Sequence, residues 1–188
     1  MRSQLRPAIV MMLLMTVLTG MIYPAVVTGI AQGLFPHRAN GSLIVEKGQV
    51  VGSELIGQNF TRPEYFHPRP SAAGAGYDAT ASGGSNLGPA SRVLAARVDS
   101  ISAALHRENP DVPVPIDLVT TSASGLDPDI TPAAAEFQAP RIASARKLPL
   151  ERVRELIAAT TEDRQLGVLG EPRVNVLLLN RALDAVNR

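Results

Sequence analysis

The stretch whose residue types and spacing best suit ligand chemistry is Ala81-Ser-Gly-Gly-Ser-Asn-Leu-Gly88, followed by Pro89. A Gly-rich turn ahead of a helix N-terminus can aim successive backbone N–H groups at an anion, which makes Ser82, Gly83, Gly84 and Ser85 candidates for a phosphate cradle. The alternative is a tight turn that caps a helix. Elsewhere the chemistry-bearing residues are scattered. Lys47 and Lys147 are the only lysines, and neither sits in a GxxxxGK[ST] string, so there is no P-loop. No Asp-Lys-Thr run offers a phosphorylatable carboxylate. His37, His67 and His106 lack metal-ligand spacing. Ser122 and Ser124 lie in a turn context with no GxSxG string. With no Cys, disulfides and thiolate chemistry are excluded. No catalytic residue and no metal site emerges, and the sequence reads as a non-enzyme.

The elements that position these residues follow from periodicity. Leu43–Lys47 and Gln49–Ser53 carry β-branched residues on both sides of Gly48, the pattern of a hairpin. Residues 61–89 hold Gly74, Gly76, Gly83, Gly84 and Gly88 with four Pro, a composition that breaks regular structure. Val93, Leu94, Val98, Ile101 and Leu105 recur at helical spacing, predicting a helix that opens at Pro89 and ends near Asn109-Pro110. Asp117–Thr121 reads as a buried strand, and Thr131-Pro132 as the cap and first residue of a helix. Two further helices are marked by Leu150, Val153, Leu156 and Ile157, and by Val176, Leu179, Leu183 and Val186. The expected class is α+β: one N-terminal transmembrane helix, then a single soluble mixed α/β domain over residues 38–188.

The N-terminal helix rests on charge and length. No Asp, Glu, Lys or Arg lies between Arg6 and Arg38, and Pro7–Ala31 is nearly all apolar. A span needs roughly 20 such residues, a signal peptide's apolar region only about 7 to 15, and the small-residue site at 28–31 is a poor cleavage signal. Pro24 removes a backbone donor inside the span and should kink it, which a membrane helix tolerates where a neighbour satisfies the freed carbonyl. The N-terminus, Arg2 and Arg6 precede the span while Arg38 alone follows closely, so the positive-inside rule puts residues 1–6 in the cytoplasm and the domain outside. Beyond Arg6 the chain holds 16 basic and 17 acidic residues, which gives no footprint for nucleic acid.

Five long strings remain: GSELIGQNF from Gly52, YFHPRPSAA from Tyr65, YDATASGGSNLGP from Tyr77, DLVTTSASGLDPDITPAAA from Asp117 and LGVLGEPRVNVLLLN from Leu166. With the apolar helix, and in this order, they closely resemble the C subunit of the Kdp potassium-transporting ATPase, over nearly the whole chain. Ala123 and Asp129 depart from the family's frequent Gly and His.

The resemblance implies a non-catalytic subunit of a high-affinity potassium pump in the bacterial inner membrane. Its partners would be a channel-like potassium-translocating subunit, a P-type ATP-hydrolysing subunit and a small membrane subunit. One role implied is assembly and stability of the complex, with a part in shaping the outer ion entrance. The other is that of a catalytic chaperone, in which Ser82–Ser85, similar to an ABC-transporter signature loop, binds ATP and raises the ATP affinity of the hydrolytic subunit. An outside domain weighs against the second role, because cytosolic ATP does not reach it. Tyr65, Phe66, Arg69 and Tyr77 are candidates for a docking face, with core packing of the three aromatics as the alternative. Pro24 is the candidate contact within the membrane.

Overall fold

The computed structural model describes residues 2–186, which fall into two compact units divided between Ser53 and Glu54. In the first, α1 (Arg2–Val17) runs through a five-residue π-helical turn (Leu18–Ile22) into α2 (Tyr23–Leu34), and α3 (Pro36–Ala39) is a single turn. Gln4–Leu34 is continuous and apolar enough to cross a membrane. Just ahead of Pro24 the helix widens into the π turn, where the Tyr23 N–H donates to Leu18 O. Widening the helix by one residue ahead of a proline absorbs the ring that would otherwise clash with the preceding turn.

The hairpin forms as expected: β1 (Leu43–Glu46) pairs antiparallel with β2 (Gln49–Ser53). Its two-residue turn has φ of 50° at Lys47 and 79° at Gly48, the left-handed pair that matches strand twist.

The second unit opens with a long segment free of helix and strand, residues 54–91, followed by α4 (Arg92–Glu108). The helix begins later than expected. Ser91, not Pro89, starts it, because the Ser91 hydroxyl accepts from Leu94 N and caps the first turn. Asp117–Thr121 is also not a strand. Ile116–Leu118 forms a 3-10 turn that buries Asp117, whose carboxylate accepts from Thr131 N at 2.7 Å and from the Thr131 hydroxyl.

That contact fixes the start of α5 (Pro132–Arg146), where Thr131 caps Ala134 N and Pro132 takes the first turn as expected. β3 (Asp129–Ile130), β5 (Arg173–Asn175) and β4 (Thr161–Glu162) make a small antiparallel sheet in the order β3-β5-β4. Against it pack α5, α6 (Leu150–Thr160) and α7 (Val176–Val186). Phe66, Phe137, Ile142, Val153, Val174, Leu179 and Leu183 form the core. The Asn175 side chain accepts from Leu178 N and so caps α7 directly off strand β5.

Candidate functional site

The Gly- and Pro-rich segment is tied down by two side-chain amides from the helices behind it. Asn180 of α7 accepts from Phe66 N at 2.8 Å and donates to Phe66 O at 3.0 Å. Gln138 of α5 accepts from His67 N at 2.8 Å and donates to His67 O at 3.1 Å. A primary amide thus replaces a neighbouring strand on each of two consecutive residues, satisfying backbone groups that would otherwise be buried unpaired. Phe66, 0% exposed between them, belongs to the hydrophobic core.

Tyr65 is half-buried and held on all sides. Its hydroxyl donates to Asp184 at 3.1 Å, and the guanidinium groups of Arg62 and Arg146 lie 4.9 and 4.8 Å from its ring centroid. Arg146 also donates to Asp184 at 2.8 Å and to Glu64 O at 2.7 Å. Arg141 gathers the carbonyls of Pro63 and Tyr65, the Gln138 amide oxygen and Glu108. Two arginines therefore fasten residues 63–65 from the α5 side.

Arg69 pairs with Asp127 at 3.0 Å and donates weakly to Thr121 O, while its buried Nε has no hydrogen-bond partner among the described residues. The Tyr77 hydroxyl donates to Arg69 O. Burial, then the Asp127 charge, raises the Tyr77 phenol well above its ordinary value, so it stays a proton donor. Arg69 and Tyr77 edge a cavity of about 540 Å³ with Phe60, His67, Leu105 and Gln138. His67 is pushed toward its neutral form by burial and then by Arg141, with Nε2 3.0 Å from Arg62 O.

The candidate phosphate loop packs on a second turn. Gly83 N and the Ser82 hydroxyl both donate to Ser124 O, at 2.8 and 3.0 Å. Gly125 has φ of +66°, and a Cβ there would sit 2.6 Å from Ala73 N and 2.7 Å from Gly83 O, so only glycine permits the approach. One amide of the loop is thus spent inside the fold, and six residues separate Ser85 from the first residue of α4. At the departing positions, Ala123 lies against Gly84, and Asp129 pairs with Arg173 at 3.1 Å. Burial, then Asp127, raises the Asp129 carboxyl above its ordinary value.

Of the docking candidates, Arg69 and Tyr77 meet through the Tyr77 hydroxyl and line one cavity, whereas Tyr65 belongs to a separate cluster with Arg62, Arg146 and Asp184. Ser82, Gly83 and Gly84 lie against Ala123–Gly125. Sequence reasoning did not find Asn180, Gln138, Arg141, Arg146 or Asp184. A faint signal existed for two of them. Asn180 interrupts the apolar stripe of α7, and Gln138 falls on the same helical face as Ala134, Ala135 and Ile142.

Fold and site define a class: a globular α+β unit appended to one helix long and apolar enough to cross a membrane. The family model for KdpC, described as the K+-transporting ATPase c chain, matches residues 5–185. A potassium-transporting ATPase KdpC subunit of Caulobacter vibrioides is 62% identical over 186 residues, 98% of this chain and 94% of the relative. That of Bradyrhizobium diazoefficiens is 55% identical over 196 residues, with 98% of each chain covered. That of Myxococcus xanthus is 63% identical over 171 residues, 89% of this chain and 81% of the relative. The chain belongs to the KdpC family and is a subunit of a potassium-transporting ATPase complex.

Proposed function

We propose that the chain acts as an assembly and stabilising subunit of the pump, anchored by one span with its N-terminus in the cytoplasm and the domain over residues 38–188 outside. It bridges the channel-like potassium-translocating subunit and the P-type ATP-hydrolysing subunit, beside the small membrane subunit, and borders the outer ion entrance. The observation that carries this reading is the spending of the site's polar groups on the fold itself: Gly83 N on Ser124 O, and Tyr65 on Asp184. Such a unit is a rigid platform, which suits holding partners in place. An apolar turn supports it: Leu166 and Val168 are 91% and 71% exposed, in a turn closed by paired backbone bonds between Gln165 and Leu169. Exposed aliphatics presented so rigidly fit a protein contact.

Deleting residues 7–31 tests the anchor. The truncated chain should no longer co-purify with the pump subunits in detergent; if it still held the full complex, the anchor role would be wrong.

A further inference from the structure

The π turn in the span leaves a consequence at the middle of the membrane. An α-helical carbonyl takes its hydrogen bond from the N–H four residues on, and in a π turn from five residues on. For Thr19 O these donors are Tyr23 and Pro24. The Tyr23 N–H is committed to Leu18 O, and Pro24 has none. The nearby hydroxyls do not substitute, because Thr16 donates to Met12 O at 2.8 Å and Thr19 to Met15 O at 2.7 Å. Residue 19 is the midpoint of Gln4–Leu34, where an unpaired carbonyl facing lipid is most costly. The neighbouring Gly20 has no side chain to screen it, and a Cβ there would touch nothing within 4 Å. The helix therefore has an open approach to an acceptor that hydrocarbon cannot satisfy.

We infer that Thr19 O is the acceptor of an interhelical hydrogen bond, and that a pump helix seated against Thr19-Gly20 supplies the donor from a Ser, Thr, Asn, Gln, Tyr or Trp side chain at mid-membrane depth. Small residues let the two backbones approach, and the bond fixes the rotational setting of the anchor. Pro24 creates this contact by leaving the carbonyl free. This deepens the assembly reading and rests on it.

The test uses the intact complex in detergent. Pro24→Ala returns an N–H to the helix, so Thr19 O or Gly20 O is satisfied internally and the partner's donor loses its acceptor. Gly20→Leu keeps the bulge but screens the carbonyl. Interhelical bonds of this kind give about three-fold on average, and at most roughly eighteen-fold, in association. Each variant should therefore shorten the half-life of the complex by about three-fold. A photo-cross-linking residue at position 23 should attach to a pump helix within one turn of a donor side chain.

Unchanged half-lives in both variants, or cross-links only to lipid or to a helix without such a side chain there, would overturn the inference. The assembly reading is separable: deletion of residues 7–31 that frees the chain while Pro24→Ala does nothing removes this contact and leaves the anchor intact.

Discussion

Replacing Asn180 by Leu probes what holds the long loop. The side chain is nearly isosteric and apolar, so packing volume in α7 is retained while both bonds to Phe66 disappear. Phe66 is wholly buried, and its N–H and C=O then have no partner unless the loop lifts and admits water. An orphaned buried donor or acceptor costs about 1–3 kcal/mol, and loop detachment caps the sum, so the loss should be about 2–4 kcal/mol. For a unit of this size roughly 3 °C accompanies each kcal/mol, which puts the fall in Tm near 6–12 °C. Thermal unfolding followed by circular dichroism in detergent reads that shift, and hydrogen exchange at the Phe66 amide reads the local opening. A Tm within 2 °C of the parent with Phe66 protection unchanged would refute the claim that the amide replaces a strand.

Gly125→Ala must push the 122–125 turn away from Ala73 and Gly83 or accept a left-handed alanine; a loss of about 2–3 kcal/mol is expected in denaturant titration, against near-neutrality for the exposed Gly88→Ala. His67 titrates below its ordinary value of about 6.5, so its neutral form is the folded one. Its contribution is present above about pH 6.5 and is lost as pH falls through the lowered folded value; Tm measured from pH 7.5 to 5 should drop more steeply for the parent than for His67→Gln. Thr131→Ala removes both the cap of α5 and a donor to the buried Asp117, and should cost about 1–2 kcal/mol by chemical denaturation.

The legible parts of the fold were those written in local chemistry. Thr131-Pro132 starts a helix by capping and a preset φ, and Lys47-Gly48 closes a hairpin through positive φ. The apolar run from Pro7 forms a helix long and apolar enough to cross a membrane, as its length and lack of charge predicted. What could not be read depends on pairings across the chain. Asp117 looked like the start of a strand because Ile116, Leu118 and Val119 are apolar, but its carboxylate is claimed by Thr131 and the segment tightens into a 3-10 turn instead. Pro89 looked like a first helical residue until Ser91 offered the better cap. Asn180 and Gln138 act on residues 114 and 71 positions away, so no local pattern could assign their bonds to Phe66 and His67. The candidate loop Ser82–Ser85 was recognisable by composition, while its use of Ser124 O was not.

The central claim is that the domain works from outside the cytoplasm, on assembly and the transport path, without handling ATP. An alkaline phosphatase fused to the C-terminus in intact bacterial cells measures this directly, since the enzyme is active only beyond the inner membrane. High phosphatase activity, matching a periplasmic control, is the result expected. An inactive but stably produced fusion would place the domain in the cytoplasm and return Ser82–Ser85 to contention as a nucleotide loop.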